Sequence, residues 1–272
     1  MNKDDFKKLQ EYQLQIMDEI HRICTENKLN YYLVYGSAIG ALRHKGFIPW
    51  DVDIDVAMLR DDYERFKIVC RQKLKPRYEI HHFEVDHDYE KQHVLVCIKN
   101  TSLETFFDKY NKGKNDFGIF VDVFPVDNIY DDEVKRAEQK KKVIRLKKLK
   151  YRKISTLYSD SRWKRVAKWT IKFLLQFITL DKLNKRFDDI CRSAEKEETS
   201  EVCCFNGTSL EKNTVPKDYY GVPREVEFEG RKYYIQEQAE KCLEKIYGDY
   251  MILPPQEERE ANLDYFVSVK FD

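Results

Sequence analysis

The sequence predicts an α+β protein in which a mixed β-sheet is flanked by helices, and three observations lead to this class. Amphipathic helical patterns are interspersed with short β-prone runs up to about residue 130. Of the 272 residues, 42% are hydrophobic and 14% aromatic, which is enough for a sizeable core and excludes a disordered chain. Lysine and arginine (49) nearly balance aspartate and glutamate (48), so the bulk charge predicts no nucleic-acid partner.

The individual elements follow from residue spacing and turn signals. Apolar residues at intervals of three and four predict helices over residues 4–28, 38–43, 62–74 and 236–247. β-prone or alternating runs bounded by turn residues predict strands over residues 31–35, 53–58, 78–82, 93–99 and 118–124. Strands mixed with helices in this way are typical of an α/β or α+β core.

A strongly basic segment divides the chain. Residues 135–153 contain eleven lysines or arginines and one acid, Glu138. Residues 163–187 continue this segment as a predicted basic amphipathic helix with tryptophans in its apolar stripe. We therefore expect a core over residues 1–132, a basic helical region over 133–200, and a C-terminal α/β extension over 201–272 that packs on the core.

The basic region has two interpretations. By composition it is a solvated helix face, but its tryptophan-bearing helix also suits contact with an anionic membrane surface. No apolar run approaches the roughly 18 residues needed to cross a bilayer. The N-terminus is charged where an export signal would be apolar. We expect a cytoplasmic protein that is soluble or peripheral on the inner face of the cell membrane.

Cysteine and histidine do not form a recognisable site. Seven cysteines lack the spacing of a disulfide framework or a metal site, and we expect reduced thiols. Four histidines also lack a compact ligand spacing and are expected to decorate a hairpin: His81, His82, His87 and His93.

A Gly-Ser turn is the first chemical feature. Gly36 and Ser37 lie between a predicted strand and a predicted helix. Backbone N–H groups left free at such a turn are suited to holding a phosphate. An acidic strand follows about 15 residues later, at a plausible spacing for a shared site.

Four aspartates form the second feature. On a strand, Asp53 and Asp55 project from the same side, with Asp51 a weaker candidate one step before them. Asp122 lies inside an apolar strand, where an unpaired carboxylate would be costly to bury. Carboxylates this close repel unless a cation lies between them, and Mg²⁺ or Mn²⁺ suits such a site in phosphoryl or nucleotidyl transfer. A solvated strand face is the simpler alternative, but the upstream turn and the alternation with apolar residues favour a site.

Three motifs then extend these features over nearly the whole chain. They read YGSAIGALRHKGFIPWDVDIDVAM from Tyr35, FGIFVDVFPVD from Phe117 and LEKIYGDYMILPP over Leu243–Pro255. Together they resemble the LicD family of phosphocholine transferases, which is similar to the catalytic part of fukutin-type enzymes. Val52 departs from the family pattern, in which three consecutive acids are more common, but both ligand positions are intact.

The resemblance implies a nucleotidyltransferase-like fold whose catalytic core is the region 1–132. The residues that it assigns to phosphate or substrate are Gly36, Ser37, Arg43, His44 and Lys45. The residues that it assigns to Mg²⁺ or Mn²⁺ and to catalysis are Asp53, Asp55 and Asp122, with Asp51 weaker.

The activity that the resemblance implies is transfer of phosphocholine from CDP-choline, or of a related group from another CDP-alcohol, with release of CMP. The acceptor would be a hydroxyl of a lipid-linked glycan precursor of teichoic acid or lipopolysaccharide. Asp122 would orient or deprotonate this hydroxyl. One alternative keeps the fold but attaches NMP to a small molecule or polymer and releases pyrophosphate. The other alternative is a non-catalytic scaffold at a membrane surface. The intact carboxylates disfavour this interpretation.

Overall fold

The fold is a mixed β-sheet with helices packed around it, and the α+β class is confirmed. The computed structural model describes residues 3–51, 53–105, 117–154, 177–257, 259 and 266–272. The helices in these ranges are α1 (Lys3–Asn27), α2 (Tyr35–His44), α3 (Arg60–Lys73), α4 (Glu133–Ile154), α5 (Leu180–Cys191) and α6 (Ala239–Tyr247). The strands are β1 (Tyr32–Leu33), β2 (Asp55–Leu59), β3 (Tyr78–His81), β4 (Val94–Ile98), β5 (Ser102–Thr105), β6 (Phe120–Asn128), β7 (Glu201–Cys203), β8 (Thr214–Pro216), β9 (Arg224–Phe228), β10 (Arg231–Ile235) and β11 (Phe266–Lys270).

The central sheet contains nine strands. Its main path runs β3-β4-β6-β2-β1-β10-β9, and β7 and β8 extend it from the end of β6. The pairs β2–β6 and β1–β10 are parallel, whereas β4–β6, β1–β2 and β9–β10 are antiparallel. The parallel pair β2–β6 needs a crossover connection, which α3 and the β3–β4 hairpin provide. Strands from the predicted core and from the predicted C-terminal extension therefore share one sheet, and β5 pairs separately with β11.

The largest core cluster lies between α1 and the central strands. The apolar stripe of α1 is fully buried: Leu9, Ile16, Met17, Ile20 and Ile23. It meets the buried valines of β4 and β6, and each such aliphatic side chain contributes roughly 1.5–3 kcal/mol by leaving water. Two acids in the first turn of α1, Asp4 and Asp5, favour the start of the helix through its dipole. The predicted helix over residues 4–28 is confirmed.

A buried ion pair ties α3, β6 and α5 together. Nε and Nη2 of Arg60 donate to the two carboxylate oxygens of Asp127 at 2.6 and 2.9 Å. Nη1 of Arg60 also donates to Asp188 at 3.0 Å. Bidentate geometry of this kind offsets the cost of burying the charges, and removal of one partner would leave the other uncompensated.

The helix predicted over residues 163–187 differs from the structure at residues 177–179, whereas residues 180–187 are helical as predicted. Residues 177–179 form a turn and a cap, and α5 runs from Leu180 to Cys191. The backbone of Thr179 is extended and its hydroxyl accepts from the N–H of Lys182, which marks a new helix start. Residues 163–176 lie outside the described residues.

The basic helix α4 packs against α5, so it is only partly solvated. Lys140 and Lys150 are buried, and their Nζ atoms donate to Glu211 at 2.8 Å and to Asn184 at 2.5 Å. Neither lysine belongs to the solvated or membrane-facing surface that composition predicts. All seven cysteines are buried free thiols, as expected. Within the described ranges, no helix combines the length and the apolar character needed to span a bilayer.

Candidate functional site

The first turn of α2 lies against the acidic segment. Gly36 and Ser37 are the second and third residues of α2, where backbone N–H groups have no acceptor within the helix. The carboxylate of Asp51 lies directly against Gly36, since a Cβ placed on Gly36 would stand 2.5 Å from Asp51 Oδ2. A Cβ at position 36 would displace the end of the Asp51 side chain, so glycine lets this carboxylate approach the start of α2.

Backbone contacts bring Ser37, Asp55 and Asp122 together. The N–H of Asp55 donates to Ser37 Oγ at 2.8 Å, and the N–H of Asp122 donates to the Ile54 carbonyl at 3.2 Å. The parallel pairing of β2 with β6 places Asp55 opposite Asp122. Residues opposite each other on neighbouring strands project from the same face of the sheet, so the two carboxylates lie side by side.

The carboxylates perturb one another's ionisation. Burial, followed by the charges of Asp51 and Asp55, raises the pKa of Asp53 well above its usual value. Burial, followed by the charge of Asp122, likewise raises the pKa of Asp55. The carboxyl group of Asp53 also lies within hydrogen-bond reach of Asp51. Such a cluster favours a shared proton or a bound cation over three separate negative charges.

Asp122 is held as an anion by two basic neighbours. Its Oδ1 lies 3.0 Å from Lys91 Nζ and 2.5 Å from His93 Nε2. Burial alone would raise the pKa of Asp122, but the contacts with Lys91 and His93 outweigh it and lower the pKa to about 2. Burial lowers the pKa of His93, so the ring is neutral near pH 7 and Nε2 carries the proton donated to Asp122. The other ring nitrogen, Nδ1, accepts from Asn206 Nδ2 at 3.2 Å.

The donor set of Asp53 and Asp55 fits a hard divalent cation. Both groups offer carboxylate oxygens, the ligands that Mg²⁺ and Mn²⁺ prefer, and both resist ionisation when no cation is near. Among the residues that the structure describes, no three Asp, Glu, His or Cys side chains form a ready-made coordination sphere. Asp122, the predicted third ligand, directs Oδ1 to Lys91 and His93.

Arg43, His44 and Lys45 lie at the other end of α2 from Gly36 and Ser37, and the His44 ring packs 6.4 Å from that of Trp50, which precedes Asp51. Along the helix axis these three residues are about 10–14 Å from Gly36 at 1.5 Å per residue. Arg43 Nη1 donates to the Tyr250 carbonyl at 2.5 Å, which anchors the segment after α6. Lys45 is exposed and lies 3.7 Å from a carboxylate oxygen of Glu227 on β9. The conformation thus gives Arg43 a structural contact.

Two further residues at the site were not predicted from the sequence. His93 directly precedes β4 and packs its ring 4.3 Å from that of Phe124, so the expectation that it only decorates a hairpin is wrong. Tyr247, the last residue of α6, is half-exposed, and partial desolvation followed by the charges of Asp55 and Asp51 raises its pKa, which shows that its hydroxyl faces the acids. The position of Tyr247 in the IYGDY motif could have indicated its role from the sequence. No local pattern around His93 indicated that it contacts a residue of β6.

Comparison with known proteins places this arrangement in a family. Residues 28–142 match the family model described as LicD/FKTN/FKRP, nucleotidyltransferase domain, and this range contains α2, β2 and β6. The chain is 31% identical over 258 residues to the lipopolysaccharide cholinephosphotransferase LicD of Haemophilus influenzae, with 92% of each protein covered. It is 30% identical over 121 residues to an uncharacterized protein of Rickettsia typhi, which covers 44% of this chain and 36% of that protein. An uncharacterized protein of Rickettsia prowazekii is 32% identical over 125 residues, with 44% and 42% covered. The chain therefore belongs to the LicD family, which includes a named transferase, as its three motifs predict.

Proposed function

We propose that the chain transfers phosphocholine from CDP-choline to a hydroxyl of a cell-surface glycan precursor, of lipopolysaccharide or teichoic acid, and releases CMP. The observation that carries this proposal is the pairing of Asp55 with Asp122 beside the first turn of α2. A helix start that accepts anions, next to paired carboxylates, suits a diphosphate and a divalent cation. Similarity to the Haemophilus enzyme over 92% of both chains supports phosphocholine as the group transferred and a glycan as its acceptor.

The proposed cofactor is Mg²⁺ or Mn²⁺, held by Asp53 and Asp55 with Asp51 as a weaker candidate. When bound, such an ion supplies charge neutralisation for the diphosphate of the donor. The raised pKa values of Asp53 and Asp55 support this assignment, because a cation would stabilise the ionised form of both groups.

The residues of the chain then have separate tasks. Backbone N–H groups at Gly36 and Ser37 bind phosphate oxygens of the donor. The acceptor oxygen forms a bond to the choline-side phosphorus as the bond from that phosphorus to CMP breaks, and the proton of the acceptor hydroxyl passes to solvent. Asp122, with a pKa of about 2, is a weak proton acceptor near pH 7, so we assign it to orienting the hydroxyl rather than deprotonating it. His93 holds the carboxylate of Asp122 in place through its Nε2–H.

A lipid-linked acceptor on the inner face of the membrane remains part of the proposal. Exposed cations on α4, including Lys141, Lys142 and Arg145, would attract anionic headgroups. The buried Lys140 and Lys150 would not take part, because their Nζ atoms bind within the protein.

The test is a donor panel with the purified chain. The chain is incubated with Mg²⁺, a glycan acceptor and CDP-choline, CDP-ethanolamine, CDP-glycerol or CDP-ribitol, and CMP is measured. We expect CMP release to be fastest with CDP-choline, to stop on chelation, and to return with Mg²⁺ or Mn²⁺. Release of pyrophosphate from a nucleoside triphosphate in place of CMP would instead support the nucleotidyltransferase alternative.

A pair of variants tests the site itself. Asp53→Asn should lower turnover by about 10²-fold or more, because it removes a charge that the reaction needs at a preorganised position. Asp61→Asn is the matched control, since Asp61 is an exposed carboxylate at the start of α3 just beyond β2. Equal turnover in both variants would remove the acidic cluster from the mechanism.

A further inference from the structure

A cavity of about 510 Å³ adjoins the basic partners of Asp122. We call it the lysine cavity, and its polar lining includes Lys91, Lys147, Lys150, His93, Asn206 and Gly207, together with Glu90, Gln92 and Thr208. Pockets that bind small molecules are typically of this size, with a few polar groups that converge on the ligand. The two lysines at 147 and 150 come from α4, so the basic helix supplies part of the wall.

The lysines of the cavity make most of their described bonds to neutral groups. Lys147 Nζ donates to the Gly207 carbonyl at 2.8 Å. Lys150 Nζ donates to the Lys91 carbonyl at 3.0 Å and to Asn184 Oδ1 at 2.5 Å. Burial lowers the pKa of both ammonium groups, that of Lys150 to about 7. A buried cation is stabilised when an anion approaches it, so the cavity would gain from a negatively charged ligand.

The carboxylates that face the cavity leave room for such a ligand. Asp122 binds Lys91, and Glu90 also lines the cavity and contributes a charge that favours protonated Lys150. Three ammonium groups therefore face two carboxylates, one of which belongs to the proposed active site. A phosphate placed beside these lysines would gain charge-assisted hydrogen bonds from their ammonium groups.

The sheet order locates the lysine cavity relative to the donor site. β6 carries Asp122 and lies between β2, which begins at Asp55, and β4, which His93 precedes. The lysine cavity is thus on the opposite side of Asp122 from Asp55. In a transfer reaction, the acceptor oxygen and the leaving group lie on opposite sides of the phosphorus. A phosphate in the lysine cavity would belong to the reactant on the side of Asp122 away from Asp55.

We propose that the lysine cavity is a second phosphate subsite of the active site, which binds a phosphate ester of a reactant as Lys91, Lys147 and Lys150 converge on it. This inference rests on the proposed function, because it adds a phosphate position to the same reaction. Two reactants share the required chemistry: the CMP that leaves and a glycan acceptor that carries phosphate. Lysine binds phosphate as a point charge and tolerates either geometry.

The test compares Lys147→Gln with Lys148→Gln. Lys147 reaches the cavity, whereas its neighbour Lys148 is exposed on the same helix. Binding of CMP, cytidine, glucose 1-phosphate and glucose is measured by calorimetry with chelator present, so that no turnover is required. We expect Lys147→Gln to weaken binding of at least one phosphate ester about 10-fold, with cytidine and glucose unchanged, and Lys148→Gln to have no effect. Weaker binding of CMP assigns the subsite to the leaving nucleotide. Weaker binding of glucose 1-phosphate assigns it to the acceptor.

A second measurement covers the case in which Lys147→Gln folds poorly. In the unmodified chain, bound phosphate ester should protect Lys147, but not Lys148, from an amine-reactive label detected by mass spectrometry. Equal labelling of Lys147 with and without ligand, or equal affinities in the two glutamine variants, would overturn the proposal. A chain that shows the 10-fold effect but releases no CMP in the donor panel would refute the proposed function and leave the subsite intact.

Discussion

Replacement of Gly36 by alanine tests how closely the acidic segment approaches α2. Gly36 does not have a positive φ, so alanine can adopt its backbone conformation. Alanine is also the better helix former by roughly 1 kcal/mol in a helix interior, so the substitution should not weaken α2. Its effect should therefore come from the new methyl group, which would stand 2.5 Å from Asp51 Oδ2.

The size of the effect follows from that distance. Ordinary contact with a Cβ begins at 3.4 Å, so the carboxylate of Asp51 or the helix must move by about 0.9 Å. A misplacement of about 1 Å near reacting groups can cost about 10²-fold in rate. We expect kcat/KM for CMP release from CDP-choline to fall by about 10²-fold, which corresponds to about 2.7 kcal/mol.

The assay pairs activity with stability and a second substitution. CMP release is measured for the unmodified chain, Gly36→Ala, Asp51→Ala and the double variant, and thermal unfolding checks that each is folded. Because the methyl group acts through Asp51, Gly36→Ala should cost little more once Asp51→Ala is present. Full activity in Gly36→Ala, or equal losses with and without the Asp51 carboxylate, would refute the reasoning.

Two further predictions concern charge. Burial opposes ionisation of Glu19, but hydrogen bonds from Arg22 and from a backbone N–H outweigh it and lower its pKa from 4.5 to about 2. The folded-state pKa is below the unfolded one, so Glu19 stabilises the fold above pH 4.5 and loses this contribution as the pH falls toward 2. Urea unfolding should show Glu19→Gln less stable by about 1.5–3 kcal/mol at pH 6, with a smaller gap at pH 3; parallel pH profiles would contradict this. Changing Lys141, Lys142 and Arg145 to glutamine should reduce sedimentation of the chain with anionic vesicles, with neutral vesicles as the control, and unchanged sedimentation would exclude this face of α4.

The elements with a clear local period could be predicted from the sequence. The helix predicted over residues 4–28 is observed over Lys3–Asn27, and the acidic strand predicted over 53–58 is observed over Asp55–Leu59. Burial of one face imposes the period on the sequence, so the pattern is present before folding is considered. The long first motif likewise resembles the LicD family, and the comparisons confirm that resemblance.

Where the ends of an element carry no strong local signal, tertiary contacts set those ends, and they differ from the prediction. The helix predicted over residues 38–43 begins at Tyr35, so Gly36 and Ser37 form its first turn instead of preceding it. Ser37 Oγ accepts from the N–H of Asp55, a contact with a strand 18 residues away that no local pattern encodes. The same helix places Lys45 at the opposite end from Gly36 and Ser37, although all of these residues belong to one motif.

The linear order of residues determined which groups carry charge, which segments are helix or strand, and which family the chain resembles, because these depend on composition and local period. Only the folded arrangement decided which charges meet. Lys91 and His93 reach Asp122 because β4 lies beside β6, and the lysines of α4 join them by packing between distant segments. Pairing of this kind, and the pKa values that follow from it, depend on distances in space that are set by long-range contacts, and the spacing of residues along the chain does not encode them.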